Sequence, residues 1–481
     1  MERVRKNRKE KANLIACLCS LSCDNGIVSG ARCAEGPKQL ARTEVIDVTD
    51  YGVYPDSGKD SAIGIQKAIA AAKDATKEGK EVKINFPEGR YDIYPDKAIE
   101  RELYVSNTVG ADQNNKMKKI GIFLEDMDHV TVDGNNSLFM FHGKMTTFAT
   151  IGCEDVEFKN FAVDFQVPTV IDMTVESVEG NTATMYIPEC YNYEVAGTTI
   201  KWYSDVSPYT GQRYWSISDL SGYHTQREDT VQGIKFGAGN GNAALKGVAS
   251  IEDLGNHRVK ITYNSKAGEV QNGMCFQSRP TVRDHAGTFF WKSKDIKMTS
   301  LDIQFLHGFG MVGQHSENIT MEDVDFEAPK ESGRTTAGYA DFVQMSGCKG
   351  AININNCTFA GPHDDPINIH GTFNTVTSIS SDRRTITVQY NHHETAGFPN
   401  FFEGDEIEFM TKGNMITVEN SVRTVTKVDG PDGMGGNMGE GSGSLTTIKL
   451  TLDKAIPADV QVNQHVVENI TYTPAVKHQQ L

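Results

Sequence analysis

The chain has 481 residues, with 47 Lys and Arg against 63 Asp and Glu, for a net charge of 47 − 63 = −16. That balance argues against nucleic acid or an anionic membrane surface as partner, and it disfavours a highly anionic substrate. Hydrophobic residues make up 38% of the chain, enough for a sizeable core, and the length suits either about three domains of ~150 residues or one elongated solenoid with insertions.

The first eleven residues are basic (Arg3, Arg5, Lys6, Arg8, Lys9, Lys11), and Ala12 to Leu21 is an apolar run too short to span a bilayer. Leu14-Ile15-Ala16-Cys17 resembles a bacterial lipobox. The expectation is a signal or disordered leader over 1–42. The protein would then be exported to a bacterial periplasm or cell surface, with a lipid anchor and no membrane span. Cys17, Cys19, Cys23 and Cys33 fall in this leader, and the other five cysteines are dispersed with no zinc-type spacing, so they read as buried free thiols.

Folding is expected to start near residue 43. Val45-Ile46-Asp47-Val48 reads as a strand, and Ser61 to Ala75 carries Ile65, Ala68, Ile69 and Ala72 on one helical face, with Asp60 or Ser61 as N-cap. Ile84 to Tyr91 then supplies Pro-Glu-Gly-Arg-Tyr. This order resembles the N-terminal cap of pectate-lyase-like right-handed β-helices. A solenoid end exposes apolar core and an open strand edge, which a helix can plug.

Short apolar-x-apolar strands follow at His129–Gly134, Asp155–Phe161, Asp295–Met298, Asn318–Met321 and Ala351–Ile354. The step from Ile296 to Ile319 is 23 residues, about one coil of a parallel β-helix. Two stretches break the repeat, 168–279 and 372–464; both alternate like antiparallel strands and read as small inserted β-barrels or β-sandwiches. They include Gly-rich segments at Gly237–Gly241 and Gly430–Gly443. The expected plan is therefore an all-β chain. It has a leader (1–42), a cap with first coils (43–167), a first insert (168–279), central coils (280–371), a second insert (372–464) and a resumed coil (465–481) beginning at Val466–Ile470.

The chemistry concentrates at Asp341 and, 364 − 341 = 23 residues later, at Asp364-Asp365. Equivalent positions on successive coils lie about 4.8 Å apart, so three carboxylates crowd onto neighbouring rungs, where like charges raise one another's pKa. Consecutive strand residues point to opposite faces, so both Asp364 and Asp365 reach one cleft only if the backbone bends, as Pro366 allows. Two function classes fit. One is an inverting glycoside hydrolase, which needs an acid and a base about 6.5–9.5 Å apart. The other is a lyase or carbohydrate-binding β-helix whose acids hold calcium, with Lys330 or Arg334 as the nearest basic groups.

Asp341 with Asp364-Asp365 resembles the three-aspartate arrangement of polygalacturonase-type β-helix hydrolases. The cap, both inserts, Tyr339-Ala340-Asp341-Phe342 and Gly361-Pro362-His363-Asp364-Asp365-Pro366-Ile367-Asn368-Ile369-His370-Gly371 together resemble glycoside hydrolase family 110, the bacterial exo-α-1,3-galactosidases. The resemblance runs from about Glu44 to Pro474. It implies removal of terminal α-1,3-linked galactose, including that of the blood-group-B antigen, with inversion and without cofactor or metal. By position, Asp364 is the implied general acid, and Asp341 with Asp365 holds the attacking water. His363, Asn368, His370, Arg283, His285 and His307 are expected to contact the galactose-terminated glycan. Arg279 and Asp284 lie in the same polar cluster, and Trp202, Trp215 and Trp291 are candidate stacking surfaces. Such solenoids pair, so a homodimer is expected. Family members continue for several more coils, so a fragile end is expected at Val466–Leu481.

Overall fold

The computed structural model describes residues 41–108, 116–218, 221–226, 234–235, 243–265, 270–280, 283–392, 395, 398–431 and 447–472. The leader up to residue 40, Gly237–Gly241, most of Gly430–Gly443 and the last nine residues lie outside them.

Two parallel sheets form the body, an all-β parallel β-helix. The first runs, in hydrogen-bonded order, through Ala41–Asp47, Lys80–Asn85, Asp128–Phe141, Glu154–Phe165, Lys294–Ile303, Glu317–Phe326 and Lys349–Asn355. The second runs from Met117–Glu125 through Thr146–Ile151, Thr288–Trp291, Met311–Gln314 and Val343–Ser346 to Ile367–His370. Register explains why the coil repeat was readable. Val156, Ile296, Ile319 and Ile352 align on successive rungs, as do Phe158, Met298, Met321 and Ile354. Each rung repeats the apolar alternation of the one before, so the inner face is continuous core.

Turn chemistry repeats with the same step. Asp155, Asp295 and Asn318, each the second residue of its strand, have φ of 53°, 53° and 54°, left-handed backbone that short Asx side chains tolerate. Asn318 Nδ2 donates to Asp295 Oδ1 at 2.7 Å, and Asn318 Oδ1 accepts from Ala351 N at 2.9 Å, so the turns are tied rung to rung.

The helix Ala62–Lys77 buries Ala62, Ile65, Ala68, Ile69, Ala72 and Ala75 against the first coils, as the periodicity predicts. Its cap bond comes from Asp60, whose Oδ1 accepts from Ala62 N at 2.9 Å, while Ser61 makes no side-chain cap bond.

The first insert is an antiparallel sheet in the order Ile234–Lys235, Ser221–Gln226, Met274–Arg279, Ile171–Glu179, Thr182–Tyr186, Arg258–Tyr263 and Val248–Gly255. A second sheet of Asn192–Ala196, Thr199–Tyr203 and Ser216–Ile217 shares its core, which holds Trp202 and Trp215. The second insert is a closed barrel of Asn374–Ile379, Thr385–Tyr390, Thr447–Leu452, Arg423–Asp429, Glu406–Thr411 and His465–Asn469.

That last strand corrects the expectation of a resumed coil at 465. Val466 and Val467 pair antiparallel with Thr375 and Asn374 on one side and with Met410 and Phe409 on the other, and both are buried. An apolar run of β-branched residues has the same appearance whether its partner is parallel or antiparallel, so the sequence pattern could not choose. Of the end expected to be fragile, 466–481, residues 466–469 belong to this closing strand and 473–481 lie outside the described residues. The last described rung of the solenoid is Ile367–His370, where Ile367 and Ile369 are 39% and 56% exposed. Among the described residues, no helix is long and apolar enough to cross a membrane.

Candidate active site

The loops entering the second sheet form a row along the solenoid, one loop per coil. In order they carry Lys144, then Arg283-Asp284-His285, then His307, then Asp341, then Asp364-Asp365. Val343 pairs with Ile367, a step of 367 − 343 = 24, and Phe342 N donates to Asp365 O at 3.1 Å. Asp341 therefore sits beside the rung position of Asp365, and the structure brings all three expected carboxylates together. Asn368, also expected at the site, spans two of them: its Nδ2 lies 3.4 Å from Asp341 Oδ2 and 3.3 Å from Asp365 Oδ2.

The three acids have different surroundings. Asp341 is 2% exposed. Burial first, and then the neighbouring Asp364 charge, push its carboxyl up to about 7, against the pull of Arg283 and the Asn368 amide. Asp365 is exposed. The Asp364 side chain is 49% exposed and lies 4.0 Å from the Arg283 guanidinium. Arg283 stands over the ring of Phe309, 4.9 Å from its centroid. Below about pH 7 the trio thus carries a proton on its most buried member, Asp341, with two water-accessible acidic side chains beside it.

Backbone proximity shapes the site floor. Gly310 has φ of 59°, and a Cβ there would meet Asp341 O at 2.0 Å. The Gly308-Phe309-Gly310 turn can pass under Asp341 only because it carries no side chain at that point.

His363 is placed away from the cleft. It is buried, its Nε2 bonds Gln277 Oε1 at 2.8 Å, and burial holds its imidazole well below its ordinary pKa. Gln277 Nε2 donates to Thr335 Oγ1 at 2.6 Å, and Thr335 Oγ1 donates to the fully buried Asp172 Oδ1 at 2.6 Å. Thr336 Oγ1 donates to Gly361 O at 2.6 Å. The segment Gly361–His363, immediately before the paired aspartates, is pinned to the first insert and to the previous coil.

His307 is buried between Thr169 Oγ1 on Nδ1 and Asp284 Oδ1 on Nε2, each at 2.6 Å, and burial pushes its pKa down to about 4. His285 Nδ1 bonds the same Asp284 oxygen at 3.1 Å, and Lys144 Nζ reaches Asp284 Oδ2 at 3.0 Å. Burial alone would raise the Asp284 carboxyl, but its basic neighbours hold it well below the usual range. Asp284, His285 and His307 bring three ligand atoms close enough for a metal. Both His307 ring nitrogens already have hydrogen-bond partners, Thr169 and Asp284, an arrangement that suits a hydrogen-bonded brace.

His370 bonds Gly371 O through Nδ1 at 2.9 Å and contacts Gln344 through Nε2. It is five residues beyond Asp365 along an extended strand, about 16 Å, and so does not join the carboxylates. Trp202 and Trp215 are insert core, and Trp291 is half-buried at the end of its strand. Arg334, one of the two candidate basic residues for a lyase reading, is committed to Asp164 in a buried bidentate pair at 2.8 and 2.7 Å. Sequence reasoning missed Lys144, Gln277, Thr335 and Phe309. Lys144 lies 140 residues from its partner Asp284, because the first insert intervenes, and coil counting does not cross an insert.

Residues 385–432 match the family model described as GLAA-B beta-barrel domain II. The chain is 43% identical over 436 residues to Alpha-1,3-galactosidase A of Streptomyces avermitilis, covering 90% of this chain and 68% of that protein. It is 39% identical to Alpha-1,3-galactosidase A of Peterkaempfera griseoplana, covering 94% and 62%. To the protein of the same name from Bacteroides fragilis it is 30% identical, covering 90% and 66%. The chain thus spans about two thirds of the length of these relatives.

Proposed function

Because the chain belongs to the alpha-1,3-galactosidase family, we propose that it hydrolyses terminal α-1,3-linked galactose from oligosaccharides, with inversion at the anomeric carbon. The observation that carries this reading is the trio itself, one buried carboxyl held protonated to about pH 7 beside two exposed carboxylates. An inverting hydrolase needs such a split between proton donor and water activator. In this reading Asp341 protonates the departing glycosidic oxygen. Asp364 and Asp365 take a proton from water as it attacks the opposite face of the sugar, and the first product is β-galactose. This reverses the division implied by resemblance, in which Asp364 is the acid. Burial of Asp341, which raises its carboxyl, supports the reversal. Branched blood-group-B glycans are included as substrates on the family resemblance alone.

The test is galactose release from an α-1,3-galactosyl oligosaccharide followed by proton NMR of the first anomer formed. β-Galactose that disappears in Asp364→Asn and Asp341→Asn supports the reading. α-Galactose appearing first overturns inversion, and unchanged release in either variant removes that residue from the chemistry. A lyase would instead leave an unsaturated sugar absorbing in the near ultraviolet, and the commitment of Arg334 to Asp164 disfavours it.

Export and lipid anchoring at Cys17 are part of the proposal, supported by the basic and apolar runs before it; mass spectrometry of the cell-envelope protein tests them. Pairing of two copies is supported by Met415 and Ile416, which are exposed on the barrel; light scattering of the purified protein decides it.

A further inference from the structure

Away from the aspartates, a cavity of about 550 Å3 lies between the cap, the ends of the first coils and the first insert. Asp56, Arg90, Asp92 and Tyr94 come from the cap side, His142 and Gln166 from the coil ends, and Asp205 and Val206 from the insert. His142 belongs to the coil of Thr146–Ile151. Four strand spacings separate that coil from the one carrying Asp364, roughly 19 Å along the solenoid.

The inner wall is held rigidly. His142 bonds Asp205 Oδ2 through Nδ1 at 2.6 Å and Asp92 Oδ1 through Nε2 at 3.0 Å. Arg90 grips Asp92 through Nε and Nη2 at 3.1 and 2.6 Å, and its Nη2 also reaches Gln166 Oε1 at 2.8 Å. The Tyr94 ring stacks on the His142 imidazole, 3.7 Å between centroids and 12° from parallel. Burial alone would lower the His142 pKa, but the two carboxylates raise it. The buried Asp92 thus has both Arg90 and His142 as basic neighbours, the half-buried Asp205 has His142, and Asp56 adds a third carboxyl to the lining.

What the frame leaves unused points to the ligand. Among the described residues, Arg90 Nη1, Gln166 Nε2 and the Tyr94 hydroxyl have donor capacity left, and Asp205 keeps Oδ1 buried without a partner. With Asp56, Asp92 and Asp205 set against Arg90 and His142, the wall disfavours an anion. Donors and an acceptor set around an aromatic ring fit the hydroxyls of a neutral sugar.

We propose that this cavity is a second saccharide-binding site, separate from the aspartates, that takes a neutral hexose unit. It does not require the hydrolase reading to hold.

The test uses the full chain with galactose, lactose and N-acetyllactosamine as probes, followed by saturation-transfer NMR and calorimetry. Val206 is 46% exposed at the rim, so Val206→Trp fills the mouth without touching the frame. Tyr94→Phe removes one hydroxyl and keeps the ring. Expected are saturable binding of at least one probe, retained in Asp341→Asn/Asp364→Asn, weakened about tenfold or more by Val206→Trp and less by Tyr94→Phe. Galactose release from a small aryl α-galactoside should be unchanged in Val206→Trp. If no galactose is released by any form, binding sensitive to Val206→Trp still supports the site. Binding that ignores Val206→Trp, or no binding of any probe, overturns it.

Discussion

Asp341→Asn is expected to make the protein inactive and, above neutral pH, more stable. The Asp341 carboxyl moves from an ordinary 3.8 to about 7 in the folded site. The difference, 7 − 3.8, is about 3 pH units, and at 1.36 kcal/mol per unit the folded protein bears about 4 kcal/mol for ionising it. Because the folded value lies above the unfolded one, the favourable contribution is complete below pH 3.8 and disappears as pH rises through 7. An asparagine does not ionise and loses nothing over that range. The stability of Asp341→Asn relative to the parent should therefore grow by about 2.5 kcal/mol between pH 5 and pH 8. Urea or thermal midpoints of both proteins, compared at each pH so that shared unfolding steps cancel, measure this difference. Parallel pH dependence of the two midpoints would refute the reasoning. It would mean that Asp341 ionises like a surface carboxyl and cannot serve as the proton donor.

The same proton predicts that galactose release declines above about pH 7; Arg283→Gln, which removes a cation that holds the Asp341 pKa down, should shift that decline to higher pH in a rate profile. A rate that instead rises through pH 7 would make Asp341 the base. His363→Ala breaks a buried hydrogen bond and should cost about 1–3 kcal/mol of stability; turnover should fall more than apparent substrate affinity, and the pH of the decline should stay put. Gly310→Ala puts a Cβ against Asp341 O and should abolish activity or soluble expression, whereas Gly413→Ala, with nothing within 4 Å of the new Cβ, should be nearly silent in the same assays. Arg334→Met strands a buried Asp164 and should destabilise by about 3–5 kcal/mol in denaturant melts.

The solenoid was legible because its information is local and repeated. Ile296 and Ile319 sit a coil apart in the sequence and on adjacent rungs in space, and Asp295 and Asn318 mark the same turn. The aspartate trio was legible for the same reason, since Asp341 and Asp365 are separated by one coil step. His363 was misread because sequence adjacency to Asp364 says nothing about direction; the chain turns there, and the imidazole enters the insert interface, where Gln277 meets it. His465–Asn469 was misread because period-two alternation does not encode the sense of the neighbouring strand. The braces from Lys144 to Asp284 and from Gln277 to His363 were out of reach, since each joins residues across an insert or between an insert and a coil.

The closing strand of the barrel sets an order of events for a chain emerging from a ribosome. Coils within the central block can stack as each one appears, because each pairs with its immediate predecessor. The barrel has no such option: Asn374 must wait for Val467, 467 − 374 = 93 residues later. At about 5–20 residues per second, that is a delay of roughly 5–20 seconds. During it, Asn374–Ile379 and Glu406–Thr411 each present an unpaired edge, the kind of surface that recruits strands from other chains. The barrel accordingly depends on prompt completion of the chain, or on a chaperone, to reach its native pairing.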